Sequence, residues 1–74
     1  MEKRSASAAI RRAINLAGSE KKLGDAAGYS QNAIWAAKRK GQVSAEMAVA
    51  IEKATGGQVT KTELRPDLFT EAAA

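Results

Sequence analysis

Four apolar stretches of helical period, each followed by glycine, confine this chain to short α-helices packed on one another. Ile10, Ala13, Ile14 and Ala17 fall at i, i+3, i+4, i+7, and Gly18 follows them. Leu23, Ala26 and Ala27 form the inward side of a second segment that ends at Gly28. Ala33, Ile34 and Ala37 do the same for a third, stopped by Gly41. Met47, Ala50, Ile51 and Ala54 share a face of the fourth, stopped by Gly56-Gly57. This spacing gathers apolar side chains on one side of a helix, and a glycine past the last periodic residue ends it. No stretch alternates with period two, so no strand is expected.

The starts of these segments carry matching signals. Helix 1 begins near Ser5 or Ser7. Ser19, Ser30 and Ser44 can each cap a following helix by accepting a bond from a free amide of its first turn. Glu20 then sits where a negative charge suits the helix dipole. The third helix is expected from Gln31 to about Lys40. Thr60 caps a short turn through Leu64, and Pro66 ends it, biasing Arg65 to extended geometry. Val43 packs inward from its loop. Leu64, Leu68 and Phe69 are read as core closure rather than a dimer contact, and the Glu-Ala-Ala-Ala end as frayed. The expected fold is all-α: four main helices plus a short C-terminal helical turn, in one domain over 1–74 with an ordered core of about 5–69.

Composition narrows the chemistry. The chain has no cysteine and no histidine, which removes disulfides, thiolate catalysis, the commonest general base and the commonest metal ligand. The acidic residues show no paired constellation for acid–base work, so no enzyme, cofactor, metal or small-molecule substrate is expected. No apolar run is long enough to span a membrane, and no signal-peptide pattern is present, which favours a soluble cytoplasmic protein. Residues 1–40 hold nine basic and three acidic side chains, whereas residues 41–74 hold three basic and five acidic. A positive face concentrated in one half suits a polyanion, although a solvated basic surface would have the same composition.

The stretch Glu20 to Arg39 has the form of a helix-turn-helix. The turn needs a residue that tolerates positive φ, which Gly28 supplies. Leu23, Ala27, Tyr29, Ile34 and Ala37 provide the apolar contacts between the helices, and small residues at Gly24 and Ala27 allow close approach. On the opposite face of helix 3, Asn32, Trp35, Ala36 and Arg39 lie at i, i+3, i+4, i+7, with Gln31 at the edge. Asn and Gln can bond adenine bidentately, and Arg can bond guanine or phosphate. Lys38, Arg39 and Lys40 end the helix and suit the flanking backbone, as do Ser30 and Lys21, with Lys22 beside it. The basic cluster also suits the helix dipole by itself. Trp35 has two readings. A lone tryptophan in a small domain is usually core, but its phase places it with Asn32 and Arg39, where it could meet a thymine methyl or a sugar.

These residues carry a resemblance. The stretch Ala-Ala-Gly-Tyr-Ser-Gln-Asn-Ala-Ile (26–34), the run from Val43 to Gly57 and the ending Leu-Arg-Pro-Asp-Leu-Phe (64–69) resemble the lambda-repressor-like helix-turn-helix family. That family includes the phage Cro and CI repressors, and the nearest branch is the short YdaS-type, Cro-like regulators of prophages. The resemblance covers about residues 8–69. It implies binding of a palindromic double-stranded DNA operator as a homodimer, formed in solution or only on DNA, and repression of transcription on a bacterial nucleoid. Two recognition helices would then sit on half-sites roughly 34 Å apart. Two positions depart from the family. Gly24 replaces a frequent alanine, a change expected to weaken helix 2 by up to about 1 kcal/mol. Glu20 replaces a frequent glutamine, and a carboxylate cannot donate to a phosphate.

Two other readings compete. The helices could form an interaction module of antitoxin or anti-repressor type, with DNA binding secondary. Non-specific nucleic-acid binding, RNA included, would need stacking aromatics or a long groove, and Tyr29, Trp35 and Phe69 are too scattered to supply them.

Overall fold

The computed structural model describes residues 6–69. Helix α1 spans Ser7–Ala17, α2 Glu20–Ala27, α3 Gln31–Lys40, α4 Ala45–Ala54 and α5, a single turn, Lys61–Leu64. No strand occurs among the described residues. This is the small helix-turn-helix bundle expected. Ser5 and the Glu-Ala-Ala-Ala end lie outside the described residues.

The caps form as their chemistry requires. Ser19, Ser30 and Ser44 accept bonds from the backbone N–H of Lys22, Ala33 and Met47, each at 3.1 Å. Thr60 and Glu63 cap α5 reciprocally, the Thr60 side chain taking the Glu63 amide while the Glu63 carboxylate takes the Thr60 amide. Helix α1 starts at Ser7, one of the two expected positions. Ala6 occupies its cap position, without a side-chain cap. The Ser7 hydroxyl instead donates across the fold to the Lys38 carbonyl at 3.0 Å, and the Ala6 amide donates to the Gly41 carbonyl at 2.9 Å. Two carbonyls at the end of α3, which lack partners within their own helix, are thereby satisfied.

Ile10, Leu23, Ile34, Ile51 and Val59 are fully buried and form the centre of the core. They come from α1, α2, α3, α4 and the loop before α5, so every element contributes or flanks an apolar anchor. Ala6, Ala9, Ala13, Ala37, Val43, Met47, Ala48 and Leu64 complete the buried apolar set around them, and Ile14, Ala17, Tyr29, Ala33, Ala54 and Phe69 pack partly against it. Several expectations need correction. Ala26 is exposed, because the face of α2 turns on Leu23 and Gly24. On α4 the buried residues are Met47, Ala48 and Ile51, with Ala50 only partly covered. Leu68 is 51% exposed; the turn after Pro66 folds Phe69 back and leaves Leu68 outward.

The close fit of α2 to the start of α3 depends on Gly24. A Cβ built there would lie 2.5 Å from the Tyr29 carbonyl oxygen, well inside van der Waals contact. The Gly24 carbonyl also accepts from the amides of Gly28 and Tyr29, both at 2.8 Å. Gly24 therefore gives up helix propensity in exchange for a turn that brings the two helices together. Its neighbour Gly28 adopts φ +85°, the left-handed conformation expected of the turn.

Candidate nucleic-acid interface

Packing of Ile34 and Ala37 into the core fixes the rotation of α3. Residues on its other side must then face solvent. Gln31, Asn32, Trp35, Arg39 and Lys40 are exposed, and Ala36 is partly buried at the edge of the strip. Trp35 is 45% exposed, which resolves its two readings in favour of the outer face. The Arg39 guanidinium lies 5.3 Å from the Trp35 ring centroid. This cation–π contact holds the arginine along the helix and limits the freedom of two long side chains.

The strip is polar at its N-terminal end and cationic at its C-terminal end. Ser30 caps α3 through its oxygen lone pairs, which leaves its hydroxyl proton to donate elsewhere. Gln31 and Asn32 occupy the first turn, where amide groups also point outward from the helix. Lys38, Arg39 and Lys40 occupy the last turn. On α2, Lys21 is exposed and pairs with Asp25 at 3.1 Å across one helical turn. That pair is weak in water, its side chains being 70% and 66% exposed, so Lys21 is available to another anion.

One contact was not anticipated from sequence. The Lys38 ammonium lies 2.7 Å from Glu20 Oε2, with side chains 30% and 19% exposed. It joins the end of α3 to the start of α2. The opposite charges are visible in the sequence, but the register that brings residues eighteen apart together is set by the α2–α3 turn. Two further ties brace the scaffold away from this face. Arg12 bonds the Gln58 carbonyl at 3.0 Å and pairs with Glu63 at 2.9 Å. Arg65 bonds the Val43 carbonyl at 2.9 Å and forks onto Asp67. The Arg65 bonds hold the Asp67 carboxyl below its ordinary value of 3.8 and raise the Arg65 guanidinium in turn.

Among the described residues no group of three His, Cys, Asp or Glu could hold a metal ion, and no helix is long and apolar enough to cross a membrane.

Residues 10–73 match the family model described as bacterial toxin YdaS. The chain belongs to the YdaS family. Among solved structures, this YdaS-family chain is similar to the Cro protein from prophage element Xfaso 1 of Xylella fastidiosa strain Ann-1. The two are 44% identical, with 82% of this chain and 94% of that chain covered and a TM-score of 0.79. No curated protein matches. The match supports the Cro-like branch named on sequence grounds, and neither comparison names an enzyme.

Proposed function

We propose that this YdaS-family protein is a sequence-specific DNA-binding transcriptional regulator, a Cro-like repressor of phage or prophage origin. It binds a palindromic operator as a dimer, with α3 of each copy in the major groove. The exposed strip of α3 carries this reading: amides lead, an arginine braced on tryptophan follows, and cations close it. Gln31 and Asn32 read base edges, with Trp35 and Ala36 offering apolar contact to a thymine methyl. Arg39 reaches a guanine or the backbone. Ser30, Lys21, Lys38 and Lys40 hold phosphates, which orient the helix without reading sequence. The net charge of +4 is concentrated in the half of the chain that contains this face. Such a regulator acts in the bacterial cytoplasm, on the nucleoid.

Selection of binding sites from random duplex DNA tests the proposal. The expected product is a palindromic consensus with half-site centres about one helical turn apart. Asn32→Ala should then relax preference at one base pair of each half-site, at a cost of about 1–3 kcal/mol. No enrichment, or equal loss by Asn32→Ala on the selected site and on random DNA, refutes the reading role.

A second reading is a protein-interaction module of antitoxin or anti-repressor type with DNA binding secondary; the family's description as a bacterial toxin attaches a role other than DNA binding to the family. A salt-insensitive complex with a protein partner, and no DNA shift, would favour it.

A further inference from the structure

The Glu20–Lys38 pair stands at the border between the reading strip and α2. We propose that Glu20 masks Lys38 in the free protein, so that this cation contributes to DNA binding only when the pair opens. The inference rests on the DNA-binding reading above and concerns how that same face is regulated.

The pair differs from its surroundings. At 2.7 Å and with side chains 30% and 19% exposed, it is shorter and better shielded than Lys21–Asp25 on the same helix. Shielding reduces the weakening of an ion pair by dissolved salt. The other two cations of the α3 end are in a different state. Arg39 lies over Trp35, and neither Arg39 nor Lys40 forms an ion pair among the described residues. Lys38 is thus the member of the cluster whose charge is already cancelled.

A cancelled pair has no net attraction for a phosphate, and its carboxylate is repelled if the backbone comes near. Opening is mechanically simple. The Lys38 main chain is held where it is, because its carbonyl accepts from Ser7. Only the four-carbon side chain needs to move, and its ammonium is a point charge with freely turning donors. Glu20 keeps a favourable place after separation, since it lies in the first turn of α2 at the positive end of that helix. Non-specific binding to DNA is almost wholly electrostatic, so masking one cation lowers the affinity for every sequence.

The test measures anisotropy of a labelled mixed-sequence duplex with the parent chain, Glu20→Gln, Lys38→Met and the double variant, over a range of salt. Glu20→Gln preserves side-chain shape and removes the charge. It should bind roughly five- to tenfold tighter near ~0.1 M salt, with a log–log salt slope steeper by about 0.9, the contribution of one added phosphate contact. That gain should vanish in the Lys38→Met background. If Glu20→Gln binds no tighter, or gains as much without Lys38, the masking is refuted. Should Glu20→Gln lose its helical circular dichroism, Glu20→Ser, tolerated in a first helical turn, must give the same gain. A parent that binds but is unaffected by loss of Glu20 overturns this inference alone. A parent and variants that all fail to bind overturn the proposed function and this inference together.

Discussion

Replacing Gly24 with alanine sets helix propensity directly against packing. On propensity alone, Gly→Ala inside a helix stabilises by about 0.8–1 kcal/mol. At this position the added Cβ would meet the Tyr29 carbonyl oxygen at 2.5 Å, the Ser30 carbonyl oxygen at 3.2 Å and the Ser30 carbonyl carbon at 3.3 Å. All three are backbone atoms, so no rotamer change relieves the contact. The α2–α3 turn must shift instead, and it is pinned by the two 2.8 Å bonds to the Gly24 carbonyl. Overpacking of this kind costs about 1–3 kcal/mol, and weakening one of those bonds adds roughly 0.5–1.5. After the propensity gain is subtracted, a net loss of about 1–3 kcal/mol is expected. For a domain of this size that lowers Tm by roughly 5–20 °C. Thermal and urea unfolding followed by circular dichroism reads it. A matched control is Ala26→Gly on the exposed side of the same helix, where only the propensity cost of about 1 kcal/mol should appear. DNA affinity of the folded Gly24→Ala protein should also fall, because the displaced turn carries Ser30 and positions Gln31 and Asn32. An unchanged or raised Tm for Gly24→Ala would refute the close-approach reasoning.

Three further outcomes follow from other contacts. Trp35→Ala should change stability by no more than about 1 kcal/mol, since the ring is half outside and its main partner is the exposed Arg39, yet it should weaken DNA binding; a loss of several kcal/mol would place Trp35 in the core instead. Thr55→Val should cost about 1–3 kcal/mol in urea unfolding, because the buried hydroxyl accepts from the Val59 amide at 3.1 Å and donates to the Ile51 carbonyl at 3.0 Å, and valine orphans that amide. Thr55→Ser, which keeps the hydroxyl, should avoid most of that loss, and equal stability of Thr55→Val and the parent would refute the bond's role. Asp67 titrates below its ordinary value of 3.8, chiefly through its bonds from Arg65, so its carboxylate stabilises the folded turn above that value and the effect disappears as pH falls through the lower folded value. Carboxyl chemical shifts should report the lowered pKa in the parent and its return towards the ordinary value in Arg65→Met; no difference between the two would count against the contact.

Much of the site was legible because rotation of α3 follows from simple periodicity. Once Ile34 and Ala37 are assigned inward, a helix of 3.6 residues per turn puts Asn32, Trp35 and Arg39 on the opposite side, and the structure places them there. Trp35 was ambiguous because composition and phase gave opposite answers, and exposure depends on whether a neighbouring element covers the ring. None does so fully. Leu68 went the other way. Its apolar character pointed inward, but the chain reversal after Pro66 turns Phe69 against the core and leaves Leu68 exposed.

Local physics is strongest where a residue acts on its own helix. Ser19, Ser30, Ser44 and Thr60 cap the elements they precede, and Gly28 and Gly41 close helices in the left-handed conformation, because those interactions span only a few residues. The amino-acid sequence by itself thus determined the number of helices, their ends and the face that α3 offers. Tertiary structure alone decided what lies between helices. It tied Ser7 to α3, brought Thr55 to the Val59 amide and seated Lys38 on Glu20. Each of these depends on the register between separate elements. That register comes from how all the apolar faces close over Ile10, Leu23, Ile34, Ile51 and Val59 together, which no short window of residues contains.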